Sequence, residues 1–195
     1  VNGSVSITKA DPAMTIIAPA TVDPATNVTV TVVVGKNATK KVFIYVNGNP
    51  TPVDVKNGTA TLTIRDVQPG TVNVTAEFVG DSNYNYAESA LTQISVEKYN
   101  STISYTNVTE TNNNVTVYVQ VDGDEGNVEV DGVNYTVVNG VAEIPLGILP
   151  AGSHSFEAIY YGDSNHKGNR TNIDLSIGKL NNATVKVEVI PGEFG

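Results

Sequence analysis

Apolar and polar residues alternate along most of this chain with a period of two. The clearest run is Val28–Val34, in which every second residue is valine, and Val115–Val121 repeats it. Such alternation sends successive side chains to opposite faces of an extended strand, so each run predicts a strand with one buried face. No stretch has a convincing 3.6-residue period. The pattern therefore predicts an all-β protein with a valine-rich interior.

Turn residues interrupt this alternation every eight to twelve positions, which predicts about seven strands in each half of the chain. In the first half we expect strands at Thr15–Ala18, Val28–Val34, Lys41–Val46, Pro52–Val55, Thr59–Ile64, Thr71–Val79 and Leu91–Glu97. In the second half we expect Thr102–Thr106, Val115–Val121, Asn127–Val130, Asn134–Val138, Val141–Ile144, Ser153–Tyr161 and Thr171–Ile177. Two packed sheets per half would bury a core without any helix.

The two halves are copies of one unit. Three short strings share the order apolar-Ser-apolar-x-Lys, namely Val5–Lys9, Ile94–Lys98 and Leu175–Lys179. Between them, "QPGTVNVTAEFVGD" at Gln68–Asp81 returns as "PAGSHSFEAIYYGD" at Pro150–Asp163. Several further matches follow in the same order, and landmarks conserved in order along a chain indicate internal duplication.

This duplication sets the predicted domain boundaries. Residues 9–97 form a first β-sandwich domain and residues 98–179 a second one. Residues 1–8 are expected to be the last strand of a preceding repeat, or a linker. Residues 180–195 are expected to begin a following repeat or to be an appended tail, because 183–190 alternate again while the last four residues do not.

Composition narrows the function classes. The formal net charge is -9 and the pI about 4.5, which disfavours nucleic acid as a partner because phosphates would be repelled. The chain has no cysteine, so no disulfide, thiolate metal site or cysteine nucleophile is available. No run of about 18 apolar residues exists, so we expect no membrane insertion by this segment. Valine outnumbers leucine by 31 to 6, which fits strands rather than helices.

The string Gly-Asp-Ser-Asn occurs twice, each time after an alternating run that ends in an aromatic residue. Its glycine suits a backbone with positive φ, and its Asp and Asn suit an Asx-type turn. Calcium would need six to eight oxygen ligands, and each copy offers one carboxylate, so the pattern favours a structural turn over a metal site. The turn residues are Gly80, Asp81, Asn83, Gly162, Asp163 and Asn165.

Two other features were candidate chemical sites. The string "VDGDEGN" at Val121–Asn127 faintly resembles the start of a calcium loop, but Val133 stands where a bidentate Glu should close it, so a polar hairpin tip is favoured. His154 is expected at a half-buried rim position and His166 in a loop. Neither has the partners of a hydrolytic triad, so we expect no catalytic residue, no metal and no cofactor.

The repeated corner resembles that of the bacterial Ig-like domain repeats of large cell-surface proteins. The matching residues are Gly70, Phe78, Gly80, Asp81, Ser82, Asn83 and Tyr84 in the first copy, and Gly152, Tyr160, Gly162, Asp163, Ser164 and Asn165 in the second. His166 replaces the final tyrosine in the second copy. With its richness in Asn and Thr, the chain is most similar to adhesin-like proteins of archaea such as methanogens. The resemblance implies two tandem Ig-like β-sandwich domains in an extracellular stalk or adhesin.

Eleven Asn-x-Ser/Thr sequons are present, against roughly four expected by chance, and such motifs accept N-glycans on exported proteins. The alternative is that Asn-Val-Thr is simply a turn followed by a strand. Asn73 lies in the middle of a predicted strand and is the least convincing of them. The ten other candidates are Asn2, Asn27, Asn37, Asn57, Asn100, Asn107, Asn114, Asn134, Asn169 and Asn182.

A lysine recurs at each junction, as Lys9, Lys98 and Lys179. One hypothesis is an intramolecular Lys–Asn isopeptide crosslink, which is known in Ig-like surface domains. It requires a buried lysine beside an Asn or Asp and an acid whose pKa is raised by burial. The alternative is a solvated hinge residue.

These observations favour a structural stalk segment of an extracellular adhesin-like protein at the cell surface or cell wall. Its expected partners are neighbouring Ig-like repeats and, through the full-length protein, other cells or their surface glycans and proteins. The alternative is a carbohydrate-binding module that uses Tyr84, Tyr86 and Tyr99 to stack on sugar rings. An enzyme is the weakest hypothesis, because no convergent set of catalytic residues is present.

Overall fold

The structure is a computed structural model that describes residues 6–110 and 112–180. In these residues the secondary structure consists of strands joined by turns, with no helix. The chain divides into two compact units. Within the described residues, the first unit comprises 6–100 together with Ser164–His166, and the second comprises 101–163 together with 167–180. The predicted all-β class is confirmed.

The first unit is a sandwich of two sheets. Its strands are β1 (Thr15–Ile17), β2 (Thr21–Val22), β3 (Val28–Val33), β4 (Lys41–Val46), β5 (Asn49–Asp54), β6 (Thr59–Ile64), β7 (Gly70–Phe78), β8 (Ala87–Glu88) and β9 (Thr92–Val96). One sheet has three strands in the order β1-β3-β6, and the other has the order β2-β9-β7-β4-β5 with β8 added to β7. All pairs are antiparallel except β2 with β9.

The second unit repeats this architecture with two sheets of its own. Its described strands are β10 (Ile103–Thr109), β11 (Asn114–Val121), β12 (Asn127–Val130), β13 (Val133–Thr136), β14 (Val141–Ile148), β15 (Gly152–Tyr160) and β16 (Asn169–Ile177). The sheets have the orders β10-β11-β14 and β13-β12-β15-β16, and all described pairs are antiparallel.

Each unit closes a separate hydrophobic core. The alternating valines of β3 face inward in the first unit and are buried, as are those of β11 in the second. Phe78 and Ile44 complete the first core, while Tyr160 and Ile144 occupy the second. The inward phase that the alternation predicted is therefore confirmed for both copies.

In the described residues, four tight turns are built on an Asn-Gly or Asp-Gly pair; two of them join paired strands, and two are closed by single bridges and connect strands of different sheets. In each pair both residues have positive φ, for example Asn57 at 51° and Gly58 at 80°. This is the conformation of the two-residue turn that matches the right-handed twist of paired strands. The other three pairs are Asn47-Gly48, Asp131-Gly132 and Asn139-Gly140.

The strand boundaries differ from prediction in a few places. The two-residue strands β2 and β8 were missed because they are too short to show a period. Strand β5 begins at Asn49 rather than Pro52, and β14 continues through Pro145 to Ile148. Both are edge strands, where proline is tolerated because its missing N–H faces solvent. A register shift at Val115/Thr116 accommodates the longer β14.

The two ends are described only in part. Residues 6–8 form no strand, so the strand alternative for residues 1–8 does not hold there; residues 1–5 lie outside the described residues. Likewise, only residue 180 of the predicted segment 180–195 is described. Residues 98–100, which we predicted to open the second domain, are grouped with the first unit together with Ser164–His166.

Candidate functional site

The first copy of the repeated turn is organised by the carboxylate of Asp81. Gly80 has a φ of 80°, and the N–H groups of Asn83 and Tyr84 donate to Asp81 Oδ1 at 2.7 and 2.9 Å. Oδ2 accepts from the backbone N–H of Thr39 at 2.9 Å and from its hydroxyl at 3.3 Å. Asp81 therefore closes its own turn and fastens the loop after β3 to it.

Two opposing effects act on the acidity of this carboxylate. Burial raises the pKa of Asp81, but the hydrogen bonds from Asn83, Thr39 and Tyr84 stabilise its charged form. The hydrogen bonds prevail, so the pKa of Asp81 lies below its ordinary value of 3.8. This is the behaviour of a structural carboxylate that is held ionised.

Tyr84, the last residue of the first turn, packs against the first core. It is half-buried, and a Cβ added to Gly35 would lie 2.7 Å from its ring. Only glycine at position 35 leaves room for this ring. A tyrosine engaged in this way has little of its face left for stacking on a sugar.

The second copy of the turn is preceded by a different aromatic residue. Gly162 has a φ of 82°, but the aromatic residue before it is Tyr160 instead of Phe78. The buried Tyr160 hydroxyl donates to the carbonyl of Glu125 at 3.0 Å. Burial, followed by the charge and hydrogen bond of Asp163, raises the pKa of Tyr160 to about 12. The Tyr160 hydroxyl also lies so close to Gly123 that a side chain at that position would have no room.

In both copies, the chain segment before the first strand also pairs with the turn. The Ala10 N–H donates to the Asn83 carbonyl at 2.9 Å, and the Tyr99 N–H donates to the Asn165 carbonyl at 2.8 Å. The matching bridges join Ala10 with Tyr84 and Tyr99 with His166. The backbone carbonyl of the repeated Asn thus has a structural role in both copies, and the Asn83 side chain also donates to the Asn37 carbonyl at 3.1 Å.

The acidic stretch Val121–Asn127 connects β11 to β12, which belong to different sheets, so the predicted hairpin tip is wrong and the stretch is a loop between the two sheets. Asp122 accepts from the backbone N–H and the hydroxyl of Thr102 at 2.5 and 2.9 Å, so it secures the start of β10. Across residues 6–110 and 112–180, no three His, Cys, Asp or Glu side chains are grouped so that they could hold a metal ion. Val133 begins β13 and is exposed.

The two histidines lie in separate places. His154 is half-buried, stacks on Phe156 with ring centres 6.3 Å apart, and shares a 2.8 Å hydrogen bond with the Pro150 carbonyl. His166 is half-buried, with its ring centre 5.7 Å from that of Tyr99.

The three tyrosines of the carbohydrate hypothesis have different surroundings. Tyr84 packs against the core, the Tyr99 hydroxyl donates to Gln68 at 3.2 Å, and the Tyr86 hydroxyl donates to Glu88. Of these three, Tyr86 has 53 % of its surface exposed. A sugar platform built from these three tyrosines would therefore depend mainly on Tyr86.

Most candidate glycosylation sites are accessible. Eight of the described sequon asparagines are exposed, while Asn114 is half-buried and donates through Nδ2 to Glu110 at 3.1 Å. The Asn169 amide donates to the Ser101 carbonyl at 2.7 Å, which occupies the nitrogen that a glycan would need. Asn2 and Asn182 lie outside the described residues. The exposed set comprises Asn27, Asn37, Asn57, Asn73, Asn100, Asn107, Asn134 and Asn169.

The junction lysines do not have the environment that an isopeptide crosslink requires. Lys9, Lys98 and Lys179 are all exposed. The crosslink needs a buried lysine and an acid kept protonated by burial, so the exposed positions argue against that hypothesis.

The sequence analysis missed a cluster on the outer face of the larger sheet of the first unit. Glu77 of β7 stands directly opposite Glu88 of β8. The Tyr45 hydroxyl donates to Glu77 at 2.7 Å, and the Tyr86 hydroxyl donates to Glu88. An open cleft is lined by Tyr45, Thr75, Ala76, Glu77, Glu88 and Ser89.

The carboxylates of this cluster raise the pKa of both tyrosine hydroxyls. The hydrogen bond to Glu88, with smaller effects of burial and of the charges on Glu77 and Glu88, raises the pKa of Tyr86 to about 12. The pKa of Tyr45 is raised by its hydrogen bond to Glu77 in the same manner. The alternation of β7 does place Glu77 on the solvent face, but its opposition to Glu88 depends on the short strand β8, which has no sequence signal.

Within the described part of the chain, no helix is long and apolar enough to span a bilayer.

Comparisons with known proteins agree with this fold. Residues 14–97, which contain the first sandwich, match the family model of the bacterial Ig-like domain (group 3). No curated protein matches the chain.

Several solved structures align with most of this chain at low identity and low TM-score. The fibronectin(III)-like modules of Clostridium thermocellum CbhA are 16% identical with a TM-score of 0.37, over 90% of this chain and 99% of that one. A Salmonella alpha-2-macroglobulin mutant is 9% identical with a TM-score of 0.39, and Escherichia coli alpha-2-macroglobulin activated by porcine elastase is 11% identical with 0.38. The alignments cover 89% and 87% of this chain but only 17% and 22% of those two proteins.

Proposed function

We propose that this chain is a structural segment of an extracellular, adhesin-like surface protein that displays or carries an adhesive part away from the cell. The main observation behind this proposal is repetition, because one sandwich unit occurs twice in succession and each copy closes its own core. The match of the first sandwich to a bacterial Ig-like domain supports a surface module. The archaeal affinity suggested by the Asn- and Thr-rich sequence belongs to this proposal.

The surface of the chain supports the same function. The net charge of -9 keeps neighbouring molecules apart by mutual repulsion. Exposed sequons in both units would add glycans in the native host, and the chain holds only 11 Lys and Arg residues as sites for basic-specific proteases. These properties suit a protein that stands outside the cell, beside other copies and other cells.

Labelling of intact cells tests the location. Antibodies raised against the two-unit chain should bind unbroken cells of the source organism, and mild protease treatment of those cells should release its peptides. A cytoplasmic protein probed in parallel must stay unlabelled until the cells are lysed. Labelling that appears only after lysis would refute the extracellular placement.

Pulling on the two-unit chain tests the stalk role. Each unit should unfold in its own event and add roughly 280–310 Å of extended chain, because about 85 residues extend by some 3.3–3.6 Å each. One event that releases both units together would contradict a stalk built from independent modules.

The alternative of a carbohydrate-binding module is favoured by one observation, the exposure of Tyr86. Screening the chain on a glycan array, with Tyr86→Ala beside it, separates the two functions. Tyr84→Ala is a poor probe because Tyr84 packs against the core. Binding that is lost in Tyr86→Ala would favour the module, while an absence of glycan binding would favour the stalk.

A further inference from the structure

The outer edge of β6 in the first unit presents backbone groups to solvent. The N–H and C=O of Thr59 bond to Lys56, on the side away from β3, at 3.0 and 2.8 Å. Because backbone groups alternate in direction along a strand, those of Thr61 and Thr63 face the same way as those of Thr59. Within residues 6–110 and 112–180, no strand pairs with β6 on this side. The strand therefore ends its sheet with open hydrogen-bonding groups.

The second unit protects the same edge. Strand β14 pairs with β11 in the register in which β6 pairs with β3, so Thr61 corresponds to Glu143 and Thr63 to Pro145. A charge and a proline on an edge strand are two common means of preventing another strand from pairing there. The edge strand β5 of the first unit likewise contains two prolines. Strand β6 has neither a charge nor a proline.

The charges around β6 favour the approach of a second copy of the chain. The exposed residues that flank the strand are Lys56, Arg65 and Asp66, which leaves one positive charge on balance in a chain of net charge -9. Nearby, Asp54 pairs with Lys41 at 3.2 Å. Two copies therefore repel each other less at this edge than across their acidic surfaces. In an antiparallel pair of β6 strands, the start of one strand would also lie beside the end of the other, which brings Lys56 of each copy toward Asp66 of the other.

We propose that the β6 edge is a self-association surface, at which β6 of a second copy pairs antiparallel and joins the two small sheets into one. With the two Leu62 residues opposite each other, Thr61 of each copy stands opposite Thr63 of the other. Each such pair exchanges both backbone hydrogen bonds, which gives about four across the interface. The arrangement is the same seen from either copy, as a two-fold interface requires.

The side chains of β6 suit this pairing. Thr–Thr contacts across paired strands stabilise a sheet. The small sheet already has such a contact on its other side, where the hydroxyls of Thr31 and Thr61 lie 3.3 Å apart. Both Thr61 and Thr63 are exposed, so a second copy reaches them without rearrangement of the core.

This surface goes beyond the proposed stalk function. A single pair is weak, because an interface of one strand edge lies below about 1,200 Å². Neighbouring molecules held at one surface would meet at a much higher effective concentration. A chain that does not self-associate leaves the stalk proposal intact, and an intracellular location leaves the measurement of self-association unaffected.

Sedimentation velocity over a range of concentrations tests the proposal. The two-unit chain should pass reversibly from monomer to dimer between about 0.1 and 1 mM, as expected for a small interface. Species larger than the dimer should not form, because pairing occupies the edge of both copies. A chain that stays monomeric at about 1 mM, or that forms open-ended oligomers, would overturn the proposal.

Three variants assign the dimer to β6. Thr61→Glu copies the second unit and should weaken dimerisation about tenfold or more, and Thr63→Pro should abolish it by removing an N–H that faces the second copy. Thr61→Glu keeps the test valid if Thr63→Pro fails to fold. Thr29→Glu makes the same charge change at an exposed position of the central strand β3 and should alter dimerisation less than about twofold. Equal losses in Thr61→Glu and Thr29→Glu would show general charge repulsion and refute the edge.

The edge strand β13 of the second unit provides a further control. Thr136→Pro introduces a proline where β5 carries Pro52, and it should leave dimerisation unchanged. Dimerisation that is lost in Thr136→Pro and kept in Thr61→Glu would overturn the assignment to β6.

A single cysteine tests the register. The chain has no cysteine of its own, so Leu62→Cys adds one thiol that would lie opposite its counterpart in the second copy. Opposed residues of a non-hydrogen-bonded pair have their Cβ atoms close together, which suits a disulfide. Mild oxidation should therefore crosslink Leu62→Cys into dimers and leave Thr29→Cys largely monomeric. Equal crosslinking of the two variants would refute the proposed pairing.

Discussion

Asp81 is the residue on which the first repeated corner depends. Its buried carboxylate accepts hydrogen bonds from three backbone N–H groups and one hydroxyl, which belong to Thr39, Asn83 and Tyr84. A turn of this type is predictable from Gly-Asp-Ser-Asn itself, because Gly and Asp each favour the required local conformation. The bonds to Thr39 were not predictable, since they join residues 42 positions apart.

The lowered pKa of Asp81 leads to a prediction about acid stability. A carboxylate whose folded-state pKa is below its ordinary 3.8 stabilises the fold above that pH, and this contribution is lost as the pH falls further. The free energy of unfolding of the first unit should therefore fall between about pH 4 and pH 2 more steeply in the native chain than in Asp81→Asn. Denaturant titrations at several pH values measure it.

At neutral pH, Asp81→Ala should destabilise the first unit by about 1–3 kcal/mol, because it removes the acceptor of three partly buried hydrogen bonds from backbone N–H groups. Ser82→Ala, an exposed change in the same turn, serves as the control and should have little effect. Equal stability of Asp81→Ala and the native chain would contradict the role given to this carboxylate.

Tyr160 predicts the opposite pH dependence in the second unit. Its pKa is raised from 10.0 to about 12, chiefly by burial and then by Asp163, so its stabilising effect is complete below pH 10 and disappears as the pH rises toward 12. The second unit should lose stability over this interval, and Tyr160→Phe should lose less. Unfolding curves at fixed alkaline pH, with tyrosinate absorbance as a second signal, provide the measurement. An identical alkaline decline in Tyr160→Phe would show that another group is responsible.

At the scale of strands and turns, the predicted elements agree closely with the structure because alternation and turn chemistry act locally. The inward valines of β3 and β11 needed only the period of two. The sequence could not predict β8, which has only two residues and forms by pairing with β7. For that reason the Glu77–Glu88 pair was not predictable either.

The two Asn-Gly turns of the first unit provide a matched pair of substitutions. Gly48 and Gly58 have φ values of 82° and 80°, so alanine strains the backbone similarly at both. A Cβ at Gly48 would meet nothing within 4 Å, whereas one at Gly58 would lie 2.7 Å from the Gly35 carbonyl oxygen. Gly48→Ala should cost about 1–2 kcal/mol, and Gly58→Ala about 1–3 kcal/mol more.

Chemical denaturation of both variants compares these costs. Because the conformational strain is shared, the difference between them isolates the steric contact with the loop at Gly35. Equal costs would show that this loop moves aside freely.

The outer edge of β16 provides a further prediction. In the described chain no strand pairs with that edge, where the Tyr105 hydroxyl accepts from the Asp174 N–H at 2.9 Å and donates to its carbonyl at 3.1 Å. Tyr105→Phe should destabilise the second unit by about 1 kcal/mol and speed hydrogen exchange at Asp174. Tyr118→Phe, in the same sheet as Tyr105, should leave the exchange rate of the Asp174 amide unchanged. Unaltered exchange in Tyr105→Phe would contradict the capping of this edge.

For the whole molecule, repetition was predictable from sequence because matched strings recur in order, and the structure gives each copy two sheets and a core of its own. The differences between the two copies were harder to predict from the sequence. The replacement of Tyr84 by His166 is visible in the sequence, but the hydrogen bond from the Tyr160 hydroxyl to the Glu125 carbonyl becomes apparent only from the structure. The two units thus share a fold while differing in the surfaces that they present.

The independence of the two cores is tested most directly by hydrogen exchange on cavity variants. Ile44 and Ile144 are fully buried, one in each core, so alanine at either should cost about 2–5 kcal/mol. Exchange followed by mass spectrometry should show that Ile44→Ala weakens protection in β3, β4 and β7 and leaves β11, β12 and β15 unchanged, with the reverse for Ile144→Ala. Loss of protection in both units from either single variant would contradict two self-contained sandwiches.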